Sequence, residues 1–508
     1  MIKIFDWAGK WAEYKAEAAA LAEYETGRTL SWSQLNNLAC YTAGWLKNEF
    51  GIGKGDRIAI FAENSLELSV LFAAAQKTGI VLVPLNFRLT SSEIDYLIGN
   101  CEPKAVMAEH KFADNLTSSL HYQQTTIKIS IEDIALKNDA VLASDVVYTF
   151  KNEALEEDHP VFLIYTSGTT AFPKGSIYTH KMLFWNSVNT QLRLNLTADD
   201  RSINCAPSFH TGGWNVLLTP FLHHGAFTLL MRKFEPKEVL QALEDYKMTI
   251  WWAVPTMLKM MADETVFETV KLDKLRYFIV GGEAMPIPLI ELWHKKGILI
   301  RQGYGLTEVG PNVTSLNHED AIRKQGSIGK PNFYYEIRIV DENGNDVSED
   351  KAGELLLKGP TVTPGYWNNE EATHDNIIDG WFHTGDLVKR DEEGFIYVVD
   401  RLKNMYISGA ENVYPAEVEF QLRKHPSIDN VAIIGVPDEK WGESGMAFIS
   451  LKAGEKLTAA EVTAFCTDKL AKYKIPKHIR FLDELPKNDA GKTDKKKLKS
   501  LTQPKASH

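Results

Sequence analysis

"DRIAIFAENSLELSVLFAAAQKTGIVLVPL", residues 56–85, decides the fold class. A short run of Ile, Ala and Phe is followed by Asn-Ser, then by a helix-forming stretch rich in Leu, Glu and Ala, then by Gly-Ile-Val-Leu-Val. The pattern is strand, helix, strand. Its apolar part is interrupted by Gln76, Lys77 and Gly79. It reads as a buried helix and a buried strand, not as the ~20 apolar residues that span a membrane. Such a β-α-β unit predicts a mainly parallel sheet with helices on its faces.

The same rhythm extends on both sides. "SWSQLNNLACYTAGWLKNEF" (31–50) has helical apolar spacing and starts near a Ser cap. Strand patterns recur in "VFLIYTSGTT" (161–170), "MTIWWAVP" (248–255), "LRYFIVGG" (275–282) and "ILIRQGYG" (298–305). Each is expected to end in a loop rich in Gly or hydroxyl residues. In open α/β sheets ligands bind at the carboxyl ends of strands, so these loops should converge on one site. From about Gly326 to Asp400 short strands with Asn-Gly and Glu-Gly turns predict a small antiparallel, barrel-like unit. Beyond Asp400, "RLKNMYISGAENVYP" reads as a connector, "VAIIGVPD" and "AFISLKAG" as strands, and "AAEVTAFCTDKLAKY" (459–473) as a helix. The expected organisation is an α/β amino-terminal domain over 1–399 and a small α+β domain over 400–508.

A chain of 508 residues exceeds a single hydrophobic core. The net charge of −11 argues against a general nucleic-acid binder. Four scattered cysteines without a C-x-x-C fit a reducing cytoplasm. The first twenty residues lack the features of a signal peptide.

"YTSGTTAFPKG" (165–175) combines Gly, hydroxyls and Lys174 after a strand, a composition suited to phosphate. A P-loop is excluded because Pro173 stands where its second Gly belongs. "GYGLTE" (303–308) is not a dinucleotide fingerprint, because Glu308 replaces the third Gly. Further along come "GGEAMP" (281–286), "WFHTGDL" (381–387), "DRLKNMYISGAENVYPAEVE" (400–419) and "LPKNDAGKTDKKKL" (485–498).

In this order the motifs resemble those of the adenylate-forming superfamily of acyl- and aryl-CoA synthetases, luciferase-like enzymes and peptide-synthetase adenylation domains. The resemblance runs from "GDRIAIFAENSLE" to "GKTDKKKL". It implies a two-step reaction in which a carboxylate attacks the α-phosphorus of ATP, and a thiol then displaces AMP from the acyl-adenylate. It implies ATP, Mg²⁺ and coenzyme A. Thr166, Ser167, Gly168, Thr169, Thr170 and Lys174 then resemble the grip on the β- and γ-phosphates. Gly282, Glu283 and Ala284, with Gln302, Gly303 and Tyr304, resemble the adenine slot. Thr307 resembles the α-phosphate contact, Glu308 the Mg²⁺ carboxylate, Asp386 the ribose acceptor and Arg401 a ribose or phosphate cation. Lys492 resembles the catalytic lysine of adenylate formation, and Lys403 the hinge about which the small domain turns. Gly409 resembles the lining of the pantetheine tunnel, with Trp441 and Tyr473 beside the CoA path. His210 resembles a gate or wall of the acyl pocket, whose other residues are Phe184, Thr211, Gly212, Trp214 and Gly305. Ala171 departs from a Gly common in the family.

The apolar character of that pocket predicts an apolar acid. Kinship of pattern points to a medium- or long-chain fatty acid, with aryl or hydroxycinnamic acids and the loading of a carrier protein as alternatives. A monomer or homodimer without an integral membrane segment is expected.

Overall fold

The computed structural model describes residues 5–166, 172–282, 285–401, 406–409, 411–413, 415–486, 493 and 495–502. The opening unit forms strand Arg57–Phe61, helix Leu66–Thr78 and strand Val81–Pro84, and the two strands are parallel. Ser65 accepts a hydrogen bond from the Leu68 amide to start the helix, and Gly79 at φ +72° ends it. Every residue of this helix is buried, which explains why it lacks a polar face. Its one cation, Lys77, donates to Asp6 Oδ2 at 2.6 Å and Asn36 Oδ1 at 2.7 Å, so no unpaired charge is buried.

Three sheets build the large amino-terminal domain. One has the order Ile127–Ser130, Ala105–Ala108, Arg57–Phe61, Val81–Pro84, Pro160–Thr166, Lys174–Thr179, parallel except for the last strand. The second has the order Thr29–Ser31, Ala19–Glu23, Phe227–Leu230, Arg201–Asn204. The third has ten strands. Ile250–Ala253, Tyr277–Val280 and Leu299–Leu306 run parallel, and the remainder continue antiparallel from Gly310–Leu316 outward. The antiparallel unit expected after residue 326 is therefore joined edge to edge with parallel strands. The join is the hairpin Leu299–Leu306 with Gly310–Leu316, which a reading by apolar runs does not reveal because it is rich in Gly and polar residues.

The small carboxyl-terminal domain has a five-stranded sheet. The segment read as a connector contributes strands Tyr406–Ser408 and Glu411–Val413 to it. The helix expected over 459–473 is shorter than its apolar spacing suggested, ending at Cys466. Asp468, at φ +69°, turns the chain there, and the following residues carry Ala471 and Tyr473 against the large domain.

Asn64, just past strand Arg57–Phe61, ties the first two sheets together. It is buried, and its Nδ2 donates to the Ala206 carbonyl at 2.9 Å and the Met231 carbonyl at 3.2 Å. Asn64→Ala leaves those carbonyls unpaired and should lower stability by about 2 kcal/mol, read as a lower midpoint in denaturant unfolding.

Candidate active site

Thr166 and Lys174 face each other across antiparallel strands, so the expected phosphate loop is the turn of a hairpin. Ser167, Gly168, Thr169, Thr170 and Ala171 lie outside the described residues. Thr166 Oγ1 donates to Glu308 Oε1 at 3.1 Å, and the Tyr366 hydroxyl donates to the same oxygen at 3.1 Å. Lys174 Nζ lies 5.2 Å from the centre of the Tyr366 ring. Desolvation by the surrounding protein pushes the Glu308 carboxyl above its usual range. Its own backbone amide, the two hydroxyls and Lys174 oppose that shift without cancelling it. Tyr366 was missed as a site residue; its only signal was its place in the turn "TPGYW".

The hairpin of the third sheet carries the residues expected to hold the nucleotide. A Cβ on Gly305 would lie 2.3 Å from the Pro311 carbonyl carbon, so only Gly fits there. Gln302, Gly303, Tyr304 and Gly305 belong to strand Leu299–Leu306 and not to a loop after it, which corrects the sequence reading. Gln302 is buried, and its Oε1 accepts from the Met285 amide at 3.1 Å. The Tyr304 hydroxyl donates to Asp386 Oδ2 at 2.5 Å. Asp386 is buried on strand Trp381–Arg390, opposite Arg401 of the neighbouring strand. Thr307 and Glu308 form the short 3₁₀ turn that reverses the hairpin, pinned by the Thr363 amide donating to the Glu308 carbonyl at 2.7 Å. Gly282 has φ +88°, and the next two residues, Glu283 and Ala284, lie outside the described residues.

The residues assigned to the acid divide into two groups. Thr211 and Gly212 open the short helix Thr211–Asn215, with His210 as its amino-terminal cap position. Phe184 packs against Trp185 and His223. Trp214 does not face the same space: it is 1% exposed, packs on Phe72 and Phe162 and donates Nε1 to the Ser208 carbonyl at 2.7 Å. It is a core residue behind the loop, held there by its packing on Phe72 and Phe162. Sequence reasoning missed Trp252. In "TIWWAVP" Trp251 enters the core and Trp252 projects from the other face of the strand. Its indole Cη2 lies 2.9 Å from where a Gly212 Cβ would be, and its Nε1 lies 3.6 Å from the equivalent point on Gly281.

The small domain meets this site through few residues. Gly409, at φ +60°, donates its amide to the Trp441 carbonyl at 2.9 Å, and a Cβ there would lie 2.5 Å from Trp441 Cε3. Trp441 is partly exposed. Tyr473 accepts a hydrogen bond from Asn86 Nδ2 at 3.3 Å. His210 Nε2 lies 2.9 Å from Glu411 Oε2, and Arg88 pairs with the other oxygen of Glu411. Burial would raise the Glu411 carboxyl, but His210 and Arg88 outweigh it and hold it below its usual range. Lys403, Lys492 and the Arg401 side chain lie outside the described residues.

The family description "AMP-binding enzyme" fits residues 8–367, and "AMP-binding enzyme C-terminal domain" fits residues 417–492. The chain belongs to the AMP-binding enzyme family. This AMP-binding enzyme is an acid–thiol ligase that uses ATP and CoA as co-substrates. It is 34% identical to a feruloyl-CoA synthase from Amycolatopsis over 95% of this chain and 96% of that protein. It is also 34% identical to a long-chain-fatty-acid–CoA ligase from Mycobacterium tuberculosis, over 96% of each chain. A double mutant of o-succinylbenzoate CoA synthetase from Bacillus subtilis, bound to its product analogue OSB-NCoA, superposes with a TM-score of 0.88 at 31% identity, covering 98% and 99% of the two chains. The same enzyme with ATP and magnesium ion gives 0.73 at 31% identity, covering 98% and 100%.

Because folding raises the Glu308 carboxyl above its free value, the folded protein binds that proton more readily than the unfolded chain. Stability contributed by this group therefore falls as pH rises from about 4.3 toward the raised folded value. Glu308→Gln should remove that fall and raise the melting temperature at neutral pH in metal-free buffer, read by calorimetry across a pH series.

Proposed function

We propose that this enzyme activates a compact aromatic carboxylic acid as its adenylate and transfers it to CoA. The observation that supports this reading is Trp252. Its indole fills the space between Gly212 and Gly281, and Gly281 in turn has the Gly303 carbonyl 3.5 Å from its missing Cβ. Gly212 and Gly281, neither of which carries a side chain to fill the space, thus both border one rigid ring. A long alkyl chain would need that ring displaced, whereas a planar acid can pack on its face or edge. Kinship leaves the acid open: two of the relatives above are named for aromatic acids and one for long-chain fatty acids.

In this proposal the domains divide near residue 400, with Lys403 as the hinge. Thr166 to Thr170 and Lys174 hold the leaving pyrophosphate, and Gln302, Gly303 and Tyr304 form the adenine slot. Asp386, already an acceptor for the Tyr304 hydroxyl, is placed to accept from ribose. The acid oxygen attacks the α-phosphorus, the bond to pyrophosphate breaks, and Lys492 and Thr307 offset the charge. Glu308 fits a magnesium ion: it is an oxygen donor raised by desolvation, so a nearby hard cation would restore its charged form. That ion supplies charge neutralisation on the phosphates. The CoA sulfur then attacks the acyl carbon past Gly409, Trp441 and Tyr473, the acyl carbon–oxygen bond to AMP breaks so that AMP leaves with both bonding electrons, and the thiol proton passes to solvent. His210 walls the acid side.

Pyrophosphate release should be greatest with benzoate, phenylacetate or cinnamate, be weak with dodecanoate, and yield thioester only when CoA is present. Dodecanoate as the best acid would overturn the reading, and product formed only on a phosphopantetheine-bearing protein would reassign the acceptor. Trp252→Ala should raise kcat/KM for dodecanoate by about tenfold or more, since a few methylenes of pocket depth carry that discrimination.

A further inference from the structure

One short stretch of the large domain, residues 86–93, takes most of the polar contacts that the described small domain makes with it. Asn86 donates to the Tyr473 hydroxyl at 3.3 Å, Arg88 pairs with Glu411, and Ser92 Oγ donates to the Asp468 carbonyl at 3.4 Å. Glu93 Oε1 accepts from Lys474 Nζ at 2.9 Å. Lys474 is 2% exposed and also donates to Glu417 Oε1 at 2.7 Å within its own domain. The apolar share of this contact is small: Ala471 joins the cluster containing Leu89 and Ile94, with Tyr473 packed beside it.

We propose that residues 86–93 are the docking ledge for the small domain in the arrangement that makes thioester, and that Glu93 is the positioning residue that holds it there. Two observations converge. First, the chain superposes far better on the relative carrying a CoA product analogue than on the same relative carrying ATP and magnesium, 0.88 against 0.73, at equal identity and coverage of this chain. The contacts on the ledge therefore belong to the arrangement of the CoA-product complex. Second, Glu93 is the only described carboxylate of the large domain on Lys474. A buried ammonium that loses one of two carboxylates is strongly disfavoured, whereas Lys474 retains Glu417 whenever the domains part. Polar contacts that water can replace suit an interface that must open and close in each turnover.

Glu93 has a second task that makes the test clean. Its Oε2 accepts from the Thr90 amide and from Thr90 Oγ1, both at 2.9 Å, capping helix Ser91–Cys101. Gln at this position keeps the cap, because its carbonyl oxygen can accept the same bonds. Its amide nitrogen then faces the Lys474 ammonium, donor against donor.

The two half-reactions of full-length Glu93→Gln should be measured separately: pyrophosphate release without CoA, and thioester formation from supplied acyl-adenylate with CoA. The expected result is adenylate formation within about twofold of the native enzyme and thioester formation slower by about tenfold or more. Arg88→Ala, which removes a half-exposed side chain from the same ledge, should show the same split. Equal slowing of both half-reactions in both variants, or no slowing of thioester formation, would overturn the proposal.

Discussion

The site rests on one tight reversal of the backbone. Strand Leu299–Leu306 turns back at Thr307–Val309 with Gly305 so close to Pro311 that no side chain can stand there. That reversal places Tyr304 toward Asp386 and Glu308 toward Thr166 and Tyr366 at the same time. It is also the seam between the parallel and antiparallel parts of the ten-stranded sheet. The hairpin therefore unites strands of different origin around one carboxylate. Glu308 carries the cost of that crowding as a raised carboxyl, a common feature of groups kept for chemistry rather than stability.

A second constraint acts where the domains meet. In the proposed reaction the small domain turns between the two chemical steps, and an interface that must release in this way cannot be a large apolar core. The small domain instead presents Glu411, Tyr473 and Lys474 to a narrow ledge and to His210. These contacts are directional, so they fix orientation, and exchangeable with water, so they can part. His210 belongs to this interface and also stands at the start of helix Thr211–Asn215, which connects the position of the small domain to the segment proposed to line the acid pocket.

Much of the fold was legible because apolar periodicity reports burial directly. Helix Leu66–Thr78 matches its sequence pattern end to end, since Ser65 and Gly79 mark both termini chemically. The boundaries that went astray have local causes. The helix ending at Cys466 is cut by a left-handed Asp468, a conformation that spacing cannot announce. Strands Tyr406–Ser408 and Glu411–Val413 are too short for a period to register.

The sequence by itself determined the chemistry at the level of the class: the order of its motifs resembles that of the adenylate-forming enzymes, and the chain is an acid–thiol ligase. It also determined that parallel sheets would carry them, because buried strands must be apolar on both faces. Only the tertiary structure decided which tryptophan stands beside Gly212. Trp214 and Trp252 are indistinguishable as letters, yet packing on Phe72 and Phe162 buries the first behind the loop and one strand alternation sends the second between Gly212 and Gly281. The same holds for Glu93 and Lys474, separated by 381 residues. Their pairing exists only once two domains are docked, and no local pattern encodes a contact between surfaces that can separate.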